Sequence, residues 1–234
     1  MRIDVHSHLI FLDYLKYLAG RQALPRGVLE GGTYFVSCAG GYQHASPLLH
    51  ADVDAKLRSM ETLGIGMAVL SHGMPGPELL GGDEADSWAA RINDHLASVI
   101  AQYPGKFAAW ATLGWGSAER TMAEIDRCIN QLGFQGVYLF SNINQKTVDS
   151  PEFRPVFQHV ARLGVPINMH PTAPRAIEIG VALAPTDSRT PRAPAPPAPL
   201  PATAVIAAMC FGTPGSKGDD TDDQYDSCEQ FHEL

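Results

Sequence analysis

The sequence predicts an α/β fold on parallel strands, either an open doubly wound sheet or an incomplete (β/α)8 barrel of about five β/α units. Apolar runs of strand length alternate with helical stripes, glycine or proline punctuates each junction, and the pattern stops near residue 173. Connections this short between strand and helix imply parallel pairing with right-handed crossovers.

Ile3 to His8 alternates and reads as the first strand, with Ile3 and Val5 on one face and Asp4, His6 and His8 on the other. A glycine-rich stretch read as irregular follows to about residue 50. Asp52 is a capping residue for a helix carrying Val53, Leu57, Met60 and Leu63, and Gly64 stops it. Met67 to Ser71 is apolar at its centre, as expected of a strand buried on both faces, and it leads into His72-Gly73.

The unit then recurs. Trp88, Ile92, Leu96, Val99 and Tyr103 form a stripe, Pro104-Gly105 breaks it, and Phe107 to Leu113 is the third strand. Ser117 caps a helix bearing Met122, Ile125, Ile129 and Leu132, and Gly136 to Phe140 is the fourth strand. Pro151 suits a helix first turn, ahead of Phe153, Val156, Phe157, Val160 and Leu163. Val165 to His170 is the fifth strand.

A complete barrel takes about 250 residues, and 234 are present, of which the last 64 are of different character. Residues 171–234 hold ten of the 18 prolines and four Lys/Arg against nine Asp/Glu. Pro191 to Pro201 excludes helix and ladder, Asp219 to Asp226 reads as a solvated acidic run, and only Val205 to Phe211 could form an element. Two units are therefore expected: a partial barrel over 1–173 and a low-complexity tail over 174–234.

A net charge of −8 disfavours nucleic acid and anionic membrane as partners. No apolar run approaches the roughly 20 residues of a membrane span, and the chain opens on a strand rather than a leader, so a cytoplasmic location is expected. Cys38, Cys128, Cys210 and Cys228 form no CxxC pair, and reduced thiols are expected. Cys38 has no neighbouring base to make it a nucleophile. The glycine pairs do not form GxGxxG or a P-loop, which removes support for a nucleotide cofactor.

The chemistry points to histidine. Strand carboxyl ends line the ligand site in parallel α/β folds, and His6, His8, His72 and His170 all fall at or just past such ends. The two-residue period aims His6 and His8 the same way. With His170 they supply the three imidazoles that Zn2+ favours in catalytic sites. Asp4 is then an outer carboxylate behind the ligands or an internal ion-pair partner. His72 stands between a rim residue facing substrate and a polar loop residue. His44, His50, His95, His159 and His232 are read as ordinary helix or loop residues.

Ile3-Asp4-Val5-His6-Ser7-His8, Gly136-Val137-Tyr138-Leu139-Phe140-Ser141-Asn142-Ile143-Asn144, Ser150-Pro151-Glu152-Phe153-Arg154-Pro155-Val156 and Met169-His170-Pro171 together resemble the amidohydrolase-related (amidohydrolase 2) family. The likeness is greatest to its aminocarboxymuconate-semialdehyde and γ-resorcylate decarboxylase branch and covers residues 1 to about 173. It implies a metal-dependent (β/α)8 barrel that removes CO2 from aromatic or unsaturated carboxylic acids without oxidation. Hydrolases share the pattern.

The resemblance also implies that His6 and His8 are first-strand metal ligands and His170 the fifth-strand ligand; the ion expected at these imidazoles is Zn2+, with Mn2+ the alternative. It places a catalytic histidine at the sixth strand and a metal-binding aspartate at the eighth, and neither motif follows residue 173. Asp187, Asp219 and Asp220 are carboxylates with no strand before them. Weak or no turnover is therefore expected. The alternatives are a metal-dependent hydrolase on the same site, or an inactive truncated chain that acts by association, a homodimer being one such assembly.

Overall fold

The computed structural model describes residues 1–39 and 43–172. Strand β1 (Arg2–His8) leads into helix α1 (Leu12–Ala19). An antiparallel meander follows, made of β2 (Arg26–Glu30), β3 (Thr33–Ser37) and β4 (Gln43–Pro47). The alternating part runs α2 (Val53–Thr62), β5 (Ile65–Ser71), α3 (Gly82–Gln102), β6 (Phe107–Thr112), α4 (Ala118–Asn130) and β7 (Gly136–Phe140). A hairpin of β8 (Asn142–Ile143) and β9 (Lys146–Thr147) precedes α5 (Arg154–Leu163) and β10 (Ile167–His170).

The five long-range strands form one sheet in the order β1-β5-β6-β7-β10, with every neighbouring pair parallel. This is the expected half-barrel of five β/α units. Its helix-facing layer buries Ala68, Leu70, Ile92, Leu96, Ala109, Ile125, Val137, Val156 and Val160. Truncating one such residue, Leu96→Ala, would cost about 2–5 kcal/mol through lost transfer energy and a cavity. On the opposite face Val69, Trp110, Tyr138 and Phe140 pack together. The central strands are thus covered on both sides, as their continuous apolar character requires.

Helix boundaries follow local chemistry. The Asp52 carboxylate accepts from Ala55 N–H at 2.9 Å, the Ser117 hydroxyl accepts from Arg120 N–H at 3.2 Å, and Gly164 ends α5 at φ 68°. Pro151 opens a separate 3-10 turn, Pro151–Phe153, rather than α5, whose own first-turn proline is Pro155. The last strand begins at Ile167, two residues later than expected, behind Pro166.

The stretch before residue 50 is not irregular. Gly31 and Gly32 adopt φ 55° and 81° and close a two-residue hairpin in which Val28 faces Phe35. Leu15, Leu18 and Tyr14 of α1 are fully buried. Cys38 and Cys128 are buried free thiols, while Cys210, Cys228, His232 and the whole of 174–234 lie outside the described residues. Among the described residues no helix is long and apolar enough to cross a membrane.

Candidate metal centre

The first strand is not a regular strand. Asp4 pairs with Ala68 and Ser7 with Leu70, so three steps along β1 match two along β5. The extra residue at Val5-His6 makes a β-bulge, and one extra residue inverts the faces of everything after it. Ala68 and Leu70 belong to the helix-facing core, so Asp4 and Ser7 face α2. Lys56 of α2 confirms that side: its Nζ donates to Ser7 Oγ at 3.0 Å, and Asp4 acts on it electrostatically. His8, opposite Ser71, points to the other face.

Two expectations are corrected by this register. Asp4 does not share a face with His6 and His8; its Oδ1 accepts the main-chain N–H of His6 at 3.0 Å and steadies the bulge. Ile3, opposite Met67, lies on the interior side rather than on the face away from the histidines. That side is open at β1, where Ile3 and Val5 are 48% and 50% exposed.

The structure brings His6, His8 and His170 together. Each offers a ring nitrogen, and these nitrogens lie within 4.8 Å of one another. The ring centroids of His6 and His8 are 4.8 Å apart, and each is 5.2 Å from that of His170. His8 Nδ1 lies 2.8 Å from Ser71 Oγ, and His170 Nδ1 donates to the Pro171 carbonyl at 2.7 Å. Both rings are thereby oriented through Nδ1, which directs Nε2 to other partners.

Burial favours the neutral form of His6 and His8. Burial lowers the pKa of His6, with Asp4 opposing the shift. Burial lowers that of His8 well below the ordinary value, helped by His6, His170, Lys56 and His72. A neutral imidazole keeps a lone pair, which is the form a cation requires. The donor set of three imidazoles therefore fits a borderline divalent ion such as Zn2+. Tyr138 and Phe140 wall the site edge-on: Tyr138 lies 6.0 Å from His8 and 6.1 Å from His170, and Phe140 lies 5.8 Å from His170.

His72 does not join this group. It is fully buried, its Nδ1 accepts from Phe11 N–H at 3.2 Å, and the ring of Tyr14 meets it edge-on at 5.4 Å. Burial drives its pKa down to about 3. Two histidines read as unremarkable have partners: His159 bonds Asp126 at 2.8 Å, and His95 stacks on Phe11 at 4.5 Å. Sequence reasoning missed Ser71. Counting alternate residues back from it, through Val69, would have placed its hydroxyl on the interior face beside the histidines.

Residues 3–219 match the family model described as amidohydrolase. The chain belongs to the amidohydrolase family. This amidohydrolase chain is 35% identical over 83 residues to 2-amino-3-carboxymuconate-6-semialdehyde decarboxylase of Dictyostelium discoideum, covering 36% of this chain and 23% of that protein. It is 32% identical over 128 residues to γ-resorcylate decarboxylase of Polaromonas sp. JS666, covering 52% and 39%. Among solved structures it resembles the dihydroxybenzoic acid decarboxylase of Polaromonas sp. JS666, which holds manganese and the inhibitor 2-nitroresorcinol. That likeness has 25% identity and a TM-score of 0.58, and covers 74% of this chain and 50% of that one. The amidohydrolase chain thus spans half or less of the length of each of these three proteins.

Proposed function

We propose that this chain carries the front half of a metal-dependent, non-oxidative decarboxylase site for small aromatic or unsaturated carboxylic acids, with His6, His8 and His170 holding one divalent cation. Zn2+ suits the all-imidazole donors, and Mn2+ is the alternative suggested by the manganese of the dihydroxybenzoic acid decarboxylase. The observation that carries the reading is the convergence of three imidazole nitrogens within 4.8 Å from two strands at opposite edges of the sheet.

A bound divalent ion would supply Lewis acidity, polarising a carboxylate or phenolic oxygen. The chain's own residues do the rest. Ser71 and Pro171 fix the orientation of His8 and His170. Tyr138 and Phe140, both buried, back the rings of His8 and His170 edge-on and hold them in place. The unit that bears the site is residues 1–173, and the substrate partner is a small carboxylic acid.

Proton delivery to the ring carbon is worth about 10²–10⁴-fold when a histidine provides it. The described residues supply five parallel strands and no assigned proton donor, so slow turnover is the expected outcome of this reading. CO2 release from 2,6-dihydroxybenzoate with Zn2+ or Mn2+, run beside ester and amide hydrolysis, tests the reading. Slow CO2 release abolished by His170→Ala supports it; hydrolysis without CO2 release moves the chain to the hydrolase alternative.

A second reading has its own observation. The open interior at Ile3 and Val5 and the exposed Met169 on β10 leave apolar surface at both sheet edges. A chain of this kind acts by association, for which a homodimer is the simplest form.

A further inference from the structure

The carbonyl of Val5, within the β1 bulge, accepts two side-chain hydrogen bonds. One comes from the indole Nε1 of Trp110 on β6 at 3.0 Å, the other from the amide Nδ2 of Asn168 on β10 at 3.3 Å. A carbonyl oxygen has two lone pairs, so both donors are accommodated together. Among the described residues, strands β1 and β10 are the two edges of the five-stranded sheet. Asn168 therefore reaches from one edge to the other. It pairs with Tyr138 as His170 pairs with Phe140, which puts it on the same face as His170 and two residues before it.

The bulge needs such support. A bulge carbonyl left without a donor carries a desolvation penalty, which favours return to regular pairing. Regular pairing from Asp4 onward would place His6 and His8 on the α2 side, because a one-residue slip exchanges the faces. Asn168 also incurs a cost of its own. It is buried, and its Oδ1 finds no hydrogen-bond partner among the described residues. A leucine of similar volume would avoid that cost, so the amide contributes through its donor.

We propose that Trp110 and Asn168 are positioning residues of the three-histidine centre. By holding the Val5 carbonyl inside the curled sheet they pin the bulge that aims His6 and His8, and Asn168 draws the edge bearing His170 onto the edge bearing the other two. The inference rests on the reading of these histidines as a metal centre for its purpose, but the ring juxtaposition it explains exists without an ion.

The test uses Trp110→Phe, which keeps an aromatic ring and removes the N–H, Asn168→Leu, and the pair combined. Two readouts are followed: Zn2+ affinity by competition with a chromophoric chelator, and the nuclear Overhauser contact between the His6 and His170 rings in metal-free protein. Each single change should weaken Zn2+ binding by about 10–100-fold, the range for groups that orient metal ligands, with far-ultraviolet dichroism unchanged. The ring contact should fade in the singles and vanish in the pair. If Asn168→Leu fails to fold, Trp110→Phe alone decides by the same two readouts. A ring contact that persists in the folded variants overturns the proposal, as does Zn2+ affinity within about twofold of the parent. Should the parent bind no Zn2+ while the variants lose the ring contact, the metal reading fails and the positioning role stands.

Discussion

Ser71 Oγ lies 2.8 Å from His8 Nδ1 and also reaches the Ser7 carbonyl at 3.4 Å, so one buried hydroxyl ties the ring of a candidate ligand to the strand that carries it. Ser71→Ala removes this tie without adding bulk. Zn2+ affinity should fall by about 10–100-fold while the thermal midpoint changes little beyond the loss of one hydrogen bond. A chelator competition titration measures it, and an unchanged affinity would show that His8 is oriented by packing alone.

Glu78 is buried in the 3-10 turn after β5, and burial pushes its pKa up to about 8. The folded state then holds a proton that the unfolded chain has released above its ordinary pKa of about 4.5. Stability is therefore fullest at low pH for this group and declines as pH rises toward 8, by up to about 1.4 kcal/mol per unit inside that window. Urea midpoints at pH 6.5 and pH 8 should differ in the parent and converge in Glu78→Gln. Equal slopes in both proteins would place the ionisable group elsewhere.

His72 works in the opposite direction. Its folded pKa of about 3 lies below the ordinary 6.5, so the unfolded chain binds a proton that the native state refuses. The stability contributed by the neutral ring is present above pH 6.5 and is lost as pH falls toward 3. His72→Asn keeps an acceptor for Phe11 N–H and removes the titration, so its acid unfolding curve should be shallower than the parent's. His8, His6 and His95, lowered in the same sense, add to the remaining slope.

Met169 is 39% exposed on edge strand β10, and Ile3 is half exposed on edge strand β1. Unpaired strand edges flanked by apolar side chains promote pairing between chains. Sedimentation velocity should show association that grows with protein concentration, and Ile3→Lys with Met169→Lys should reduce it. A monomer at every concentration would rule out edge pairing.

The alternating part of the fold was legible because each helix from α2 onward carries its own apolar stripe and is followed within three residues by a glycine or proline. Asp52, Ser117 and Gly164 act through contacts only a few residues away. Helix α1 lacks such a start: Phe11 occupies the cap position and makes no side-chain bond there. The Gly31-Gly32 turn was readable in principle, since two glycines between β-formers are a hairpin signal.

The candidate site shows a sharper limit. The pairing of His6 with His8 follows from a two-residue period, but the face they share is decided by the bulge. That bulge is held from outside by Asp4 and from inside by Trp110 and Asn168, the last two more than 100 residues away. No local pattern encodes it. The same long-range closure sets the face of Asp4, which a two-residue period alone puts with the histidines.

The most direct measurement is isothermal titration of the purified chain with Zn2+, beside His170→Ala. One site is expected in the parent and a large loss of affinity in the variant, because the third imidazole from the far edge of the sheet completes the donor set. Absence of stoichiometric binding in the parent, or equal binding in His170→Ala, would contradict it.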